Sequence, residues 1–202
     1  PRLGRIVVDP KREGVGGAPR ESFSARLPSA MRAKHLKTRA MTLKEWAELS
    51  DDVRGELVDG ILVEEEMSTQ IHDAVLGYLF NFFWVWVFAR GGLALPPDHK
   101  LGVAPRRGRK PDLSVYFATS RMAAAQESIS YVPPDIAVEI ITPRPKDARR
   151  DRVEKTVEYA RFGVRWYWLV DPAVRTIEVL ELGPRRRYTL AVSRCDGTLA
   201  VP

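Results

Sequence analysis

Cysteine is almost absent: the 202 residues contain one, Cys195. An intrachain disulfide is therefore excluded, and no Cys/His cluster has the spacing of zinc ligands. Long hydrophobic runs are scarce as well. The one extended apolar stretch, Ala74 to Ala89, is shorter than a comfortable membrane span, follows His72-Asp73 and contains Asn81. No membrane helix is expected from it. The N-terminus lacks the apolar core of a signal peptide. These absences together favour a reducing, cytoplasmic setting. Acidic residues are rare in one place only. Residues 1–40 hold ten Lys/Arg against three Asp/Glu, whereas the remainder holds 22 against 23. The net charge of +6 thus comes from the N-terminal arm, and global charge says little about nucleic-acid binding.

What is present is a chain long enough for one domain with a substantial core, 45% hydrophobic. Residues 1–40, rich in Arg, Gly, Pro and Ser, read as a disordered basic arm or as translated sequence upstream of a start at Met31 or Met41. Residues 41–202 read as a single domain. Thr42-Leu43-Lys44-Glu45 matches a capping box opening a helix that runs to about Leu49. Glu56 to Val63 reads as a hairpin turning at Asp59-Gly60. Residues 70–90 form a long helix, apolar nearly all round, which predicts burial on more than one side and a homodimer through this helix. Strands are predicted near 93–96, 99–103, 112–117, 135–141, 166–170, 176–182 and 188–192, with a helix over 147–162 ended by Gly163. The class is α/β or α+β with a mixed sheet.

Two strands carry the chemistry. Pro111-Asp112-Leu113-Ser114-Val115 and Ala137-Val138-Glu139-Ile140-Ile141 each hold one carboxylate in an apolar run. Desolvating an unpaired charge costs several kcal/mol or more, so a buried carboxylate has a reason to be there. Side by side, the two strands would bring Asp112 and Glu139 together, and a divalent cation resolves their repulsion. A Mg²⁺ site, with Mn²⁺ substituting, is the economical expectation. Arg106, Arg107, Arg109 and Lys110 precede the first strand, and Arg144, Lys146, Arg149 and Arg150 follow the second. A metal flanked by cations suits a phosphate-containing substrate, with Arg107, Arg109 and Lys110 as phosphate contacts. The bland alternative is that such charge runs are solvated loops. Asp151, Lys155 and Tyr159, spaced by four, lie on one helix face. A lysine there would orient a water and stabilise phosphoryl charge, or it simply pairs with Asp151 on a solvated face.

The spaced set Glu56 to Gly60, His72, Arg109-Lys110-Pro111-Asp112, Pro133 to Ile141, Asp151 to Lys155, Tyr159, Gly163-Val164 and Tyr167 to Pro172 resembles the Uma-type family of candidate restriction endonucleases, a branch of the PD-(D/E)XK nuclease superfamily. The resemblance covers about residues 41–185. It implies a restriction-endonuclease-like fold, a mixed central sheet flanked by helices, and a Mg²⁺-dependent site that hydrolyses DNA. Asp112 matches the first acidic ligand, Glu139 the second, and Glu56 the acidic residue from the N-terminal part of the fold. Residue 141, where the superfamily pattern places lysine, is isoleucine; in this family a helix lysine takes that role, and Lys155 matches it.

Each assignment has a plainer counterpart. Glu56 is a metal ligand or a solvated strand carboxylate. His72 points into the site or makes a polar contact at a helix start. Tyr159 lines the site or packs in the core. Trp84, Trp86, Trp166 and Trp168 are expected in the core. At the level of function, the alternatives to an endonuclease are an inactive nucleic-acid-binding or regulatory module on the same fold, and a protein-interaction module dimerising through the aromatic helix.

Overall fold

The computed structural model describes residues 39–50, 53–64, 67–124, 126–144 and 148–194. All but the last two residues of the expected basic arm lie outside this set, as do Glu65, Glu66, Lys146 and Cys195.

Local chemistry sets the element boundaries. The Thr42 hydroxyl accepts from the Glu45 amide and the Glu45 carboxylate accepts from the Thr42 amide, so the capping box opens helix α1 (Leu43–Ala47). Strands β1 (Glu56–Val58) and β2 (Ile61–Val63) pair across Asp59 and Gly60, both left-handed at φ 53° and 84°. Helix α2 (Gln70–Phe88) starts at a Thr69 cap, whose hydroxyl accepts from the His72 amide. Strands β3 (Leu93–Leu95), β4 (Leu101–Ala104), β5 (Arg107–Arg109), β6 (Leu113–Tyr116) and β7 (Ile136–Ile140) follow. A π-helical turn, Arg150–Lys155, runs into helix α3 (Thr156–Phe162), which ends at left-handed Gly163, φ 110°. Strands β8 (Trp166–Asp171), β9 (Thr176–Gly183) and β10 (Arg187–Arg194) complete the fold.

The expected mixed sheet is six-stranded, in the order β10-β9-β8-β7-β6-β3, with only β7 and β8 parallel. A second, four-stranded antiparallel sheet, β2-β1-β5-β4, accompanies it. Strand β5 does not show in the sequence, because Arg107-Gly108-Arg109 reads as a charged loop. It forms because its arginines find carboxylates, and because Gly108 leaves room for Trp46: a Cβ there would lie 2.3 Å from the indole.

Strands β6 and β7 are antiparallel with Leu113 opposite Val138, which places Asp112 opposite Glu139. Side chains alternate across β7. Val138 and Ile140 join Leu79, Phe83 and Val87 of α2 in one apolar core, while Ala137 and Ile141 join Tyr159, Val164 and Tyr167 in a second core beneath α3. Glu139 therefore faces the α3 side, where Lys155 and Tyr159 are.

Helix α2 corrects two expectations. It buries one stripe, Leu79, Phe83 and Val87, and leaves Ile71, Tyr78, Val85 and Phe88 exposed. Trp166 and Trp168 are in the core, but Trp84 is exposed, stacked between Phe80 and Phe88 with ring centroids 5.9 and 5.3 Å away. The helix is long and apolar enough to cross a membrane by length and composition; here its buried stripe docks on the mixed sheet.

Phe83 is fully buried and meets the Trp168 ring edge-to-face at 5.1 Å. Phe83→Ala should lower the unfolding free energy by about 3–5 kcal/mol in urea titration, the range for emptying an aromatic core position.

Candidate active site

The two carboxylate strands meet at one end of the mixed sheet. There the start of α2 and the π-helical turn flank a cavity of about 260 Å³ lined by His72, Lys110, Asp112, Glu139, Asp151 and Lys155, among others. Asp112 Oδ2 accepts a hydrogen bond from the Ile140 amide at 2.7 Å, so the neighbouring strand fixes its carboxylate. Its Oδ1 lies 3.3 Å from His72 Nε2. This hydrogen bond is the largest influence on His72 and raises its pKa, against the opposing effect of burial.

Glu139 is buried mid-strand with both oxygens engaged. Oε1 accepts from the Tyr159 hydroxyl at 2.8 Å, and Oε2 lies 2.9 Å from Lys155 Nζ. Lys155 Nζ also reaches Glu56 Oε1 and Asp151 Oδ1, each at 3.2 Å. An ammonium with 2% of its residue exposed thus sits among three carboxylates from three elements. Burial would lower the Lys155 pKa, but Glu139, Glu56 and Asp151 reverse this and hold it well above the ordinary lysine value. Its carboxylate partners thus favour the charged form of Lys155. Glu139 shifts upward as well: burial comes first, and Asp151, Asp112 and Glu56 add to it against Lys155.

That upward shift bears on whether a metal fits. Among the described residues no three His, Cys, Asp or Glu side chains converge as a ready-made metal cage. Asp112 and Glu139 nevertheless present hard oxygen donors from adjacent strands to the same cavity. Burial and the carboxylates of Asp151, Asp112 and Glu56 together disfavour the ionised form of Glu139, and a divalent cation would relieve that. Mg²⁺ characteristically takes one or two carboxylates and keeps several waters. The donor set fits a hard divalent cation of that kind.

Several assignments change. Glu56 is not a cavity residue: it is 1% exposed, and besides Lys155 it receives Arg109 Nη1 at 2.6 Å and the Lys110 amide at 3.1 Å. Lying outside the cavity lining, it holds Lys155 from behind. Tyr159, fully buried, does not line the site either; its hydroxyl orients Glu139. Arg109 cannot contact a phosphate. It is fully buried, bound to Glu56 and, at 2.6 Å through Nε, to Glu158. Arg107 is partly exposed but taken up by Asp59 and Glu158. Of the three cations expected to meet phosphate, Lys110 alone reaches the cavity wall, with its ammonium 2.8 Å from Asp98. Ile141 is buried in the apolar core under α3, and Lys155 supplies the cation beside Glu139 instead. The role of Asp151 is the main addition. Its spacing in sequence makes it a helix partner of Lys155; the structure makes it a wall of the cavity, with the Tyr167 hydroxyl donating to its backbone carbonyl.

Comparison with known proteins agrees with this architecture. The Uma2 family model, described as "Putative restriction endonuclease", matches residues 41–200. Among solved structures, the chain is similar to "a putative nuclease belonging to DUF820" from Anabaena variabilis, with a TM-score of 0.63 and 20% identity over 80% of this chain and 89% of that one. At that identity the likeness shows the fold alone. Among curated proteins none matches.

The Arg109 network gives a stability test. Arg109→Ala leaves Glu56 buried without its guanidinium and should cost about 3–5 kcal/mol, whereas Arg107→Ala, at a part-exposed pair, should stay within about 1 kcal/mol. Burial pushes Glu56 up, but Lys155, Arg109 and Arg150 together bring it down to about 2. Its stabilisation is therefore complete above the ordinary carboxylate range and is lost as pH falls toward 2. Urea unfolding at neutral pH, followed by an acid titration, reads both effects.

Proposed function

The chain belongs to the Uma2 family, and from that premise we propose that it is a Mg²⁺-dependent nuclease hydrolysing DNA phosphodiester bonds. The supporting observation is the buried Lys155 ammonium, held 2.9 Å from Glu139 on the wall of a cavity that also carries Asp112. Asp112 and Glu139 would hold the cation, Mg²⁺ or Mn²⁺. When bound, such a cation supplies Lewis acidity toward a phosphoryl oxygen and charge stabilisation at the leaving oxygen.

The remaining work falls to the side chains. The Ile140 amide and the Tyr159 hydroxyl fix the two acidic groups before substrate arrives, so little reorganisation is needed at reaction. Lys155, whose ammonium faces Glu139, Glu56 and Asp151, would offset the charge developing at the phosphoryl group through its positive charge. Glu56 and Asp151 keep its ammonium in place and charged. His72 braces Asp112 from the first turn of α2. Lys110, at the cavity rim, is the cation placed to attract the scissile phosphate.

Asp112→Asn should abolish metal-dependent cutting of supercoiled plasmid while the urea midpoint barely moves. The wild-type melting temperature should rise with Mg²⁺ or Mn²⁺, and that rise should vanish in the variant. Full activity in Asp112→Asn would refute the assignment. Tight DNA binding with no cutting of any substrate would favour the inactive binding module.

The exposed face of α2 supports a homodimer. Tyr78, Val85 and Phe88 are each more than 60% exposed, and with Trp84 they form an apolar surface of a kind a monomer rarely leaves in water. A second copy placing the same face against it would cover both. Sedimentation velocity should give a dimer at micromolar concentration and a monomer for Val85→Glu with Phe88→Glu; a wild-type monomer would overturn the dimer.

A further inference from the structure

Four arginines outside the acidic cavity converge on a second one. The groove between α3 and the β9–β10 turn has a volume of about 580 Å³ and is lined by Arg161, Arg185, Arg186 and Arg187, together with Thr156 and Tyr188. The guanidinium groups come from two elements separated in sequence, so their convergence is a product of folding. All four residues are exposed, and none is ion-paired among the described residues. Elsewhere the arginines that matter to the fold are matched: Arg107, Arg109 and Arg152 each hold two carboxylates. Here a set of like charges is gathered with no partner among the described residues, an arrangement that repels itself until an anion arrives.

The backbone adds a second observation. Arg185 and Arg186 are both left-handed, at φ 63° and 54°. Glycine and asparagine adopt this conformation readily, and other residues do so at a cost. A tight hairpin turn requires it at both central positions, and it fixes the directions of these two side chains; Asp59, Arg106 and Arg175 are left-handed too. Gly163, at the end of α3, makes room for the guanidinium of Arg186: a Cβ there would lie 2.4 Å from Nη1. The hairpin tip is thereby seated on the helix and the groove is given its shape.

The groove and the acidic cavity share one helical segment. Asp151 and Lys155 line the cavity; Thr156 and Arg161 line the groove. Arg161 lies six positions after Lys155, about 9 Å along the axis, which is within reach of one strand of a nucleic acid. Planar guanidinium groups match phosphate oxygens two at a time, and contacts made to phosphate carry no sequence information.

We propose that this groove binds the phosphodiester backbone of the nucleic acid whose scissile bond lies in the acidic cavity. It would act as a sequence-independent anchor beside the chemistry. The proposal rests on the nuclease reading for the identity of the ligand, but its test does not require cleavage.

The test measures binding of a short DNA duplex by fluorescence anisotropy in EDTA, over a range of NaCl concentrations. The full chain is compared with Arg185→Asn plus Arg186→Gly, and with a variant that adds Arg161→Gln and Arg187→Gln. Asparagine and glycine suit the left-handed positions, and thermal melting checks that the first variant keeps its fold without the Arg186 contact at Gly163. Every phosphate deprived of its arginine should flatten the slope of log K against log salt by about 0.9. By that rule the slope should flatten by about 1.8 in the first variant and about 3.6 in the second. The Mg²⁺-induced rise in melting temperature should persist in both, since it reads the acidic cavity. An unchanged slope in folded variants would overturn the groove while leaving the nuclease intact. A flattened slope in a protein that cuts nothing would keep the groove and overturn the nuclease. No measurable binding of DNA by the wild-type chain would overturn the groove as a nucleic-acid site.

Discussion

The Lys155 ammonium is the constraint around which the site is built. It lies within 3.2 Å of carboxylates from β1, β7 and the π-helical turn, and it is almost fully buried. A charge of this kind is tolerable only when its partners are near and fixed. Glu56 is fixed by Arg109 and the Lys110 amide, Glu139 by Tyr159, and the backbone at Asp151 by Tyr167. Removing any one carboxylate would leave buried charge less well compensated. The second sheet, which contributes Glu56 and Arg109, is thus tied electrostatically to the mixed sheet that carries Glu139.

The side-chain alternation of β7 divides the labour. Val138 and Ile140 give the α2 side an ordinary apolar core, while Glu139 is the polar member on the other side, between Ala137 and Ile141. The cavity opens where Asp112, opposite Glu139 in register, meets the first turn of α2. A strand displaced by one residue would turn Glu139 into the α2 core and dismantle the site. The π-helical turn belongs to the same constraint, and such turns are frequent at functional sites. Here it brings Asp151 and Lys155 inward together.

Two groups of arginines contrast. Arg109 and Arg107 are consumed by Glu56, Glu158 and Asp59 and belong to the architecture. Arg161 and the three arginines of the β9–β10 turn have no such partners among the described residues and surround an open groove. Proximity to an acidic motif in sequence is therefore a poor guide to which cations meet a phosphate. The better guide is which cations the fold has left unmatched.

Elements with strong local chemistry were legible in the chain before any folding was considered: the Thr42–Glu45 cap, the Asp59-Gly60 turn, the Gly163 helix stop and the two carboxylate strands. These depend on nearest neighbours, which a linear chain displays in full. The candidate set Asp112, Glu139 and Lys155 was legible too, the two carboxylates from their apolar strands and Lys155 from its helix spacing and the resemblance. Long-range packing settled the rest: Glu56 and Tyr159 stand behind the site, Arg109 is buried, Asp151 lines the cavity, and residues 107–109 form a strand. Each of these depends on a partner from 16 to 53 positions away. Whether a charged side chain faces water, a metal or another charge is set by which distant groups share its desolvated space, and a linear pattern carries no record of that.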